Sequence, residues 1–244
     1  MKRHDSYRES HAAPDMGYRY EEFLSNRIDA DIWRLQSGPQ LSAWLDEMVG
    51  SHGGRHLDFA CGTGRILEVI GSRFGQITGV DISPQMLALA RERFPAVQML
   101  LGDVTREAEL VEGMFDSATI FRFFANAEPA LREDVASWLA AHLKSGAVLI
   151  GNTHSHTWSW SGGLNFLAHL LLRRGGRTLS RAELTILLDR HGFTVQRWQG
   201  YRIMPTVGGR PMLGRRLQIA VDSLLRKLHL GFLGSDQLFM AVRR

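Results

Sequence analysis

Gly62 and Gly64 stand one residue apart after the apolar stretch His56-Leu57-Asp58-Phe59-Ala60 and lead into Ile66-Leu67-Glu68-Val69-Ile70. Glycines at this spacing let a backbone approach a ligand closely, and a helix starting there offers unpaired N–H groups to its polar or anionic parts. Seventeen residues beyond Gly64, the run Gln76-Ile77-Thr78-Gly79-Val80 ends in Asp81. A carboxylate at the end of the second strand of a βαβ unit is placed to accept hydrogen bonds from ribose hydroxyls. The chemistry is therefore that of a nucleotide-type ligand. The dinucleotide pattern fails at its third glycine, where Leu67 stands, and the chain holds no phosphate-cradling G-x-x-x-x-G-K-[ST] run.

Holding these residues in place requires strands that alternate with helices, and the chain reads that way. Tyr18 to Trp33 and Gln40 to Val49 have helical character, with Leu41, Trp44, Leu45 and Met48 on one face of the second. Ser83 followed by Pro84 opens a helix that stops before Pro95. Val97–Leu101, Phe115–Phe121, Ala147–Asn152, Phe193–Trp198 and Gln237–Val242 read as further strands, a helix from Pro129 to about His142 lies between the second and third of these, and Ser180-x-x-Glu183 is a capping box.

The segment Asp58-x-Ala60-Cys61-Gly62-Thr63-Gly64-Arg65 resembles the first motif of class I S-adenosylmethionine-dependent methyltransferases, and Asp81-Ile82-Ser83-Pro84-Gln85-Met86-Leu87 is also typical of that family. Ala60 takes the place of the family's usual first glycine. The resemblance is firm from about Gly53 to Ile150 and general beyond. With the strand–helix alternation, it implies an α/β three-layer sandwich with a seven-stranded, mostly parallel sheet, the Rossmann-like methyltransferase fold, whose last strand is antiparallel. Residues 1–52 form an N-terminal helical segment, and 53–244 the methyltransferase domain, with cap or substrate insertions at about 153–180 and 203–234.

The cofactor implied is S-adenosylmethionine. Its residues are Asp58, Ala60, Cys61, Gly62, Gly64 and Arg65 at the glycine turn, then Asp81, Ile82 and Met86, then Gly102, Asp103 and Val104, and finally Phe121 and Arg122. In the family an acid at the position of Asp103 meets the adenine amino group, which suits a carboxylate because it only accepts hydrogen bonds. Ile82, Met86 and Val104 then sandwich the ring. N-terminal helices in such enzymes cover the cofactor, bringing Tyr20 and Arg27 toward its methionine end; the alternative is that both only cap or pair at the surface.

On the acceptor side, Arg122-Phe123-Phe124-Ala125 lacks the proline pair with which many family members hold the amino groups of DNA bases or glutamine. The loop after the fifth strand lies on the ligand face. It carries His154, His156, Trp158 and Trp160, and the two tryptophans with Phe124 are the candidate substrate residues. His154 or His156 is the candidate base for a hydroxyl acceptor, the alternative being that they only shape the pocket. No metal is expected, because His154-x-His156 has no nearby acids. The expected reaction is methylation of a small-molecule hydroxyl, on a glycan, lipid or secondary metabolite. An amine acceptor, an RNA-modifying enzyme and a non-catalytic cofactor-binding partner are the alternatives.

The 244 residues, 44% hydrophobic and 22% charged, are ordinary for a globular protein with a sizeable core. Cys61 is the sole cysteine, so no internal disulfide forms, and a small packed turn residue is its expected role. Met1–Tyr20 lacks the apolar core of a signal peptide, and the apolar run Thr157–Leu172 is too short to span a bilayer, so the expected location is cytoplasmic. Leu171–Arg244 holds 14 Lys and Arg against four acids, in a chain whose net charge is +4. That is a solvated basic face or a surface for an anionic partner, and nucleic acid is disfavoured because no RNA-binding module is appended. Leu217, Ala220, Val221, Leu224, Leu225 and Leu228 share one helical face, expected to pack onto the sheet; peripheral membrane contact is the alternative. The sequence sets no oligomeric state.

Overall fold

The computed structural model describes residues 7–8, 28–49, 53–71, 73–107, 109–154, 159, 163, 179–207 and 210–244. In chain order these form α1 (Ile28–Ile32), a π-helical turn (Trp33–Ser37), α2 (Gly38–Val49), β1 (Gly53–Phe59), α3 (Leu67–Ile70), β2 (Phe74–Asp81), α4 (Pro84–Arg93), β3 (Gln98–Leu101) and β4 (Phe115–Ile120). There follow α5 (Pro129–His142), β5 (Leu143–Thr153), α6 (Arg181–Arg190), β6 (Phe193–Tyr201), the short strands β7 (Thr206–Val207) and β8 (Arg210–Pro211), α7 (Arg215–Lys227), a 3-10 turn (Leu230–Leu233) and β9 (Asp236–Arg243).

Seven strands form one sheet in the order β3-β2-β1-β4-β5-β9-β6, with β9 antiparallel to both neighbours and the other pairs parallel. The chain winds outward from β1 to β3, then returns to place β4 on the other side of β1. Strand order thus reverses at β1 and β4, the crevice where open α/β sheets bind ligands. Both faces are covered. Leu131, Val135 and Leu139 of α5 and Leu184 and Leu188 of α6 pack on one side with Leu57, Phe115 and Phe239. Leu41 and Leu45 of α2, Ile70 of α3 and Leu87 of α4 pack on the other with Ile150 and Met240.

Local signals act as expected at two helix starts. The Ser83 hydroxyl accepts from the Met86 N–H, with Pro84 in the first turn, and Ser180 with Glu183 forms a complete capping box. The helix after the glycine turn differs. It begins only at Leu67 and lasts four residues, so turn backbone, not a long helix start, faces the crevice.

The largest departure is α7. The apolar pattern predicts leucines against the sheet, yet Leu217, Leu224 and Leu228 are 56%, 56% and 59% exposed, while Gln218 and Asp222 are buried. The reason is backbone satisfaction. Gln218 Oε1 accepts the Met212 N–H at 2.7 Å, its Nε2 donates to Pro205 O at 3.3 Å, and Asp222 accepts the Met204 N–H at 2.7 Å. A buried N–H left unpaired costs about 1–3 kcal/mol. Turning two polar side chains inward closes these groups and puts the leucines outside.

Candidate active site

The turn after β1 is built on left-handed backbone. Ala60, Gly62 and Gly64 have φ of 55°, 56° and 85°. A side chain at Gly64 would meet the Phe94 ring at 2.7 Å, so this position requires glycine twice over, by conformation and by space. Ala60 carries its Cβ in the same region at a strain of about 1–2 kcal/mol, which explains why a glycine is usual there. Asp81 ties the turn to the next helix. Its Oδ2 accepts the Gly62 N–H and its Oδ1 the Ser83 N–H, both at 2.8 Å.

A cleft opens beside this turn. The structure brings Ala60, Asp81, Ile82, Gly102, Asp103 and Val104 to its wall, all six drawn from the residues singled out in the sequence. Phe59, Val80 and Phe123 add apolar surface. Two acceptors on an apolar slot suit a flat heteroaromatic ring carrying a sugar.

Tyr7 and Arg8, which sequence reasoning missed, also line this cleft. Arg8 Nε donates to Asp103 Oδ2 at 2.6 Å, and its guanidinium reaches Thr105 Oγ1 at 2.8 Å. Burial opposes ionisation of Asp103, but hydrogen bonds from Thr105 and Arg8 outweigh it and hold this carboxyl below its ordinary value. Tyr7 donates its backbone N–H to Glu128 at 2.6 Å and sets its ring edge-on to Phe123, centroids 5.1 Å apart.

Behind the turn lies a buried polar chain between β1 and β4. The Thr119 hydroxyl donates to Asp58 Oδ1 at 2.7 Å, so its oxygen accepts from His56 Nε2 at 3.0 Å. His56 Nδ1 in turn accepts from the Ser117 hydroxyl at 2.8 Å. This tautomer is the one the network allows. Burial alone lowers His56 to about 3, so the ring is neutral. Burial pushes Asp58 up to about 7, with the charge of Asp81 adding to it and the Thr119 bond opposing it. Asp58 Oδ2 is buried and has no hydrogen-bond partner. The signal for this chain was in the sequence: His56 and Asp58, then Ser117 and Thr119, are polar pairs two apart in buried strands, and they share register.

The ends of β4 and β5 are stitched together. Arg122, at φ 56°, donates its N–H to Asn152 Oδ1 at 2.7 Å, and its carbonyl accepts from Asn126 Nδ2 at 2.6 Å. Asn126 Oδ1 accepts from His154 Nε2 at 3.0 Å. His154 Nδ1 is then a bare lone pair, buried and without a partner. Burial first, then the nearby Arg122 and Arg202 charges, lower this ring to about 3. Phe124 is fully buried among aromatic rings, 5.6 Å from Phe123 and 6.2 Å from Phe239.

The remaining sequence candidates are placed as follows. Cys61 is buried, and burial followed by the Asp58 and Asp81 charges raises its thiol well above the ordinary value, which leaves a packed turn residue. Met86 lies beneath Gly62, its Sδ 3.6 Å from where a Cβ there would be. Arg65 stacks on Trp33 at 4.5 Å, and Phe121 meets the same ring edge-on at 5.9 Å, joining the N-terminal helices to the turn. Tyr20, Arg27, His156, Trp158 and Trp160 lie outside the described residues. Among the described residues, no group of three or more His, Cys, Asp or Glu could hold a metal ion, and no helix is long and apolar enough to cross a membrane.

Residues 57–146 match the family model described as a methyltransferase domain. The chain is 31% identical over 135 residues to the dTDP-3-amino-3,4,6-trideoxy-alpha-D-glucopyranose N,N-dimethyltransferase of Streptomyces venezuelae, covering 53% of this chain and 54% of that one. It is 35% identical over 80 residues to the ubiquinone biosynthesis O-methyltransferase of Pseudomonas aeruginosa, covering 31% and 34%. The chain thus spans about half or less of the length of these relatives. In fold it is similar to the magnesium protoporphyrin IX methyltransferase of Synechocystis solved with bound S-adenosylhomocysteine, with a TM-score of 0.66, 18% identity and 97% of each chain covered. The matched segment holds the glycine turn, Asp81 and Asp103, and over it the chain is similar to class I S-adenosylmethionine-dependent methyltransferases.

Proposed function

We propose that this protein transfers a methyl group from S-adenosylmethionine to a small-molecule acceptor. The observation that carries the reading is the bare Oδ2 of Asp58, a buried carboxylate oxygen without a partner, on β1, where the next two residues, Phe59 and Ala60, line the cleft that holds Asp81 and Asp103. S-Adenosylmethionine is a cation with a sulfonium and an ammonium group, and an unpaired buried acid is stabilised by such a charge. Asp58 then faces the ammonium end, Asp81 the ribose hydroxyls and Asp103 the adenine amine, with Ile82 and Val104 against the ring. The bound cofactor supplies a methyl group that is already electrophilic. What the chain does is align the acceptor and exclude water.

The sequence points first to a hydroxyl acceptor with a histidine base. The surroundings of His154 favour a nitrogen acceptor instead. Held near 3, its Nδ1 accepts a hydrogen bond well but takes up a proton poorly, so it orients a donor hydrogen rather than removing it. A neutral amine offers its lone pair directly and gives up a proton only after the methyl group has been transferred. The two enzymes above act at nitrogen and at oxygen by name, and both support a small organic acceptor.

The test is transfer from tritiated S-adenosylmethionine to a panel of amino sugars and phenols, with pH–rate profiles for the wild type and His154→Ala. Loss of an orienting bond should lower kcat by up to about tenfold, and both proteins should keep the same profile. A wild-type acid limb near an ordinary imidazole pKa, absent in the variant and accompanied by a loss of about 10²–10⁴, would restore the histidine base and the hydroxyl.

Arg8 provides a second check on the adenine end. It occupies Asp103 Oδ2, so Arg8→Ala should tighten cofactor binding by about two- to fivefold, the scale of a partly exposed ion pair. Weaker binding in this variant, read by calorimetry, would make Arg8 part of the site rather than its competitor.

A further inference from the structure

The outward face of α7 is apolar, and the helix is held in that rotation. Its inner face is fixed by Gln218 and Asp222 on the 202–212 segment, and Gln36 Nε2 donates to Ser223 Oγ at 3.0 Å. At about 100° per residue, Leu217, Leu224 and Leu228 cluster about 120° around the helix from Gln218 and Asp222. They form one stripe roughly 16 Å long. Met212 and Leu213 precede the helix at 58% and 45% exposure, and Phe232 of the 3-10 turn, which packs on α7, is 49% exposed.

Charge specifies the partner. Arg216 and Lys227 lie on the far side of the leucine stripe from the buried polar face, and both are exposed, as are Arg210 and His229. Arg215 and Arg226 are engaged within the protein, with Asp31 at 2.8 Å and over the Tyr201 ring at 5.1 Å. The one acid of α7, Asp222, is buried. We infer that α7 docks on an anionic lipid surface, with Leu217, Leu224 and Leu228 at the acyl boundary and Arg216 and Lys227 among the headgroups. An amphipathic basic helix with leucines on its other face lies in the plane of such an interface. A second copy of the chain fits less well. Its stripe would bring a like-charged rim against this one, and a helix face of roughly 16 by 10 Å falls far below the ~800 Å² per partner of a stable dimer.

Vesicle flotation of the full chain tests this, independently of catalysis. The protein should float with phosphatidylcholine vesicles containing phosphatidylglycerol and stay behind with phosphatidylcholine alone. Leu217→Ser, Leu224→Ser and Leu228→Ser together should lower the bound fraction about tenfold or more, with an unchanged melting temperature because all three positions are exposed. Arg216→Gln with Lys227→Gln, or high salt, should lower it as well. Three results would overturn the assignment: no flotation with anionic vesicles, flotation equal on neutral ones, or flotation that survives the triple substitution. A concentration-dependent dimer, abolished by the triple substitution in a protein that binds no vesicles, would give the stripe to a second copy instead.

Discussion

Replacing Asp81 with Ala is expected to weaken S-adenosylmethionine binding by about 1.5–3 kcal/mol and to destabilise the cofactor-free protein as well. The first effect is the loss of charged acceptors for the ribose. The second follows from the structure alone. Asp81 closes the Gly62 and Ser83 N–H groups, both at 2.8 Å, and is itself buried. Removing it leaves the buried Ser83 N–H unpaired, at about 1–3 kcal/mol, and the partly buried Gly62 N–H without this acceptor, and frees the left-handed turn that Ala60 already strains. Asp81→Asn keeps one acceptor oxygen and most of the volume, so it should fall between wild type and Ala on both measures. Calorimetry and thermal unfolding separate the two roles. An unchanged affinity in a variant with a lowered melting temperature would confine Asp81 to the turn and remove it from the ribose.

What was legible in the sequence is what local chemistry determines. Left-handed backbone wants glycine, so Gly62 and Gly64 announce the turn. A serine followed by proline or by Glu three residues on announces a helix start, as at Ser83 and Ser180. Asp81 and Asp103 could be read because strands of a parallel sheet all deliver their ends to one crevice. Contacts set by the packing of distant segments left no such trace. Arg8 meets Asp103 across 95 residues, and His154 meets Asn126 across 28, with nothing in either spacing to pair them. The face of α7 was misread for a related reason. Periodicity locates an apolar stripe but says nothing of unpaired backbone in a neighbouring loop, and at Met204 and Met212 that demand decides the rotation. The α5 helix buries Leu131, Val135 and Leu139 along one apolar face.

Cofactor affinity is expected to rise with pH and level off above about pH 7, because Asp58 must be ionised to meet a cation. Burial is the main cause of its value of about 7, and the Asp81 charge adds to it. Below that value a bound cation must displace a proton, so affinity should fall by about tenfold for each pH unit. Asp58→Asn should flatten this dependence and hold affinity near the wild-type acid limit. Thr119→Val removes the one hydrogen bond that favours the ionised form, and should move the inflection upward. Stability of the empty protein runs the other way. The folded-state value lies above the unfolded value of 3.8, so the native state binds the extra proton. That contribution is complete below about pH 4 and is lost as pH rises through 7, with an upper bound of about 4 kcal/mol. His56, lowered to about 3, has the opposite sign and withdraws stability as pH falls below its ordinary 6.5. Asp58→Asn isolates the first term: the variant should gain on wild type in melting temperature from mildly acid to neutral pH while losing cofactor affinity at neutral pH. An affinity profile for wild type that is flat across this range would mean that Asp58 does not face the cofactor. Its bare oxygen would then be an internal cost of the buried chain from Ser117 to Asp58, and the cationic end of the ligand would have to find its partner elsewhere.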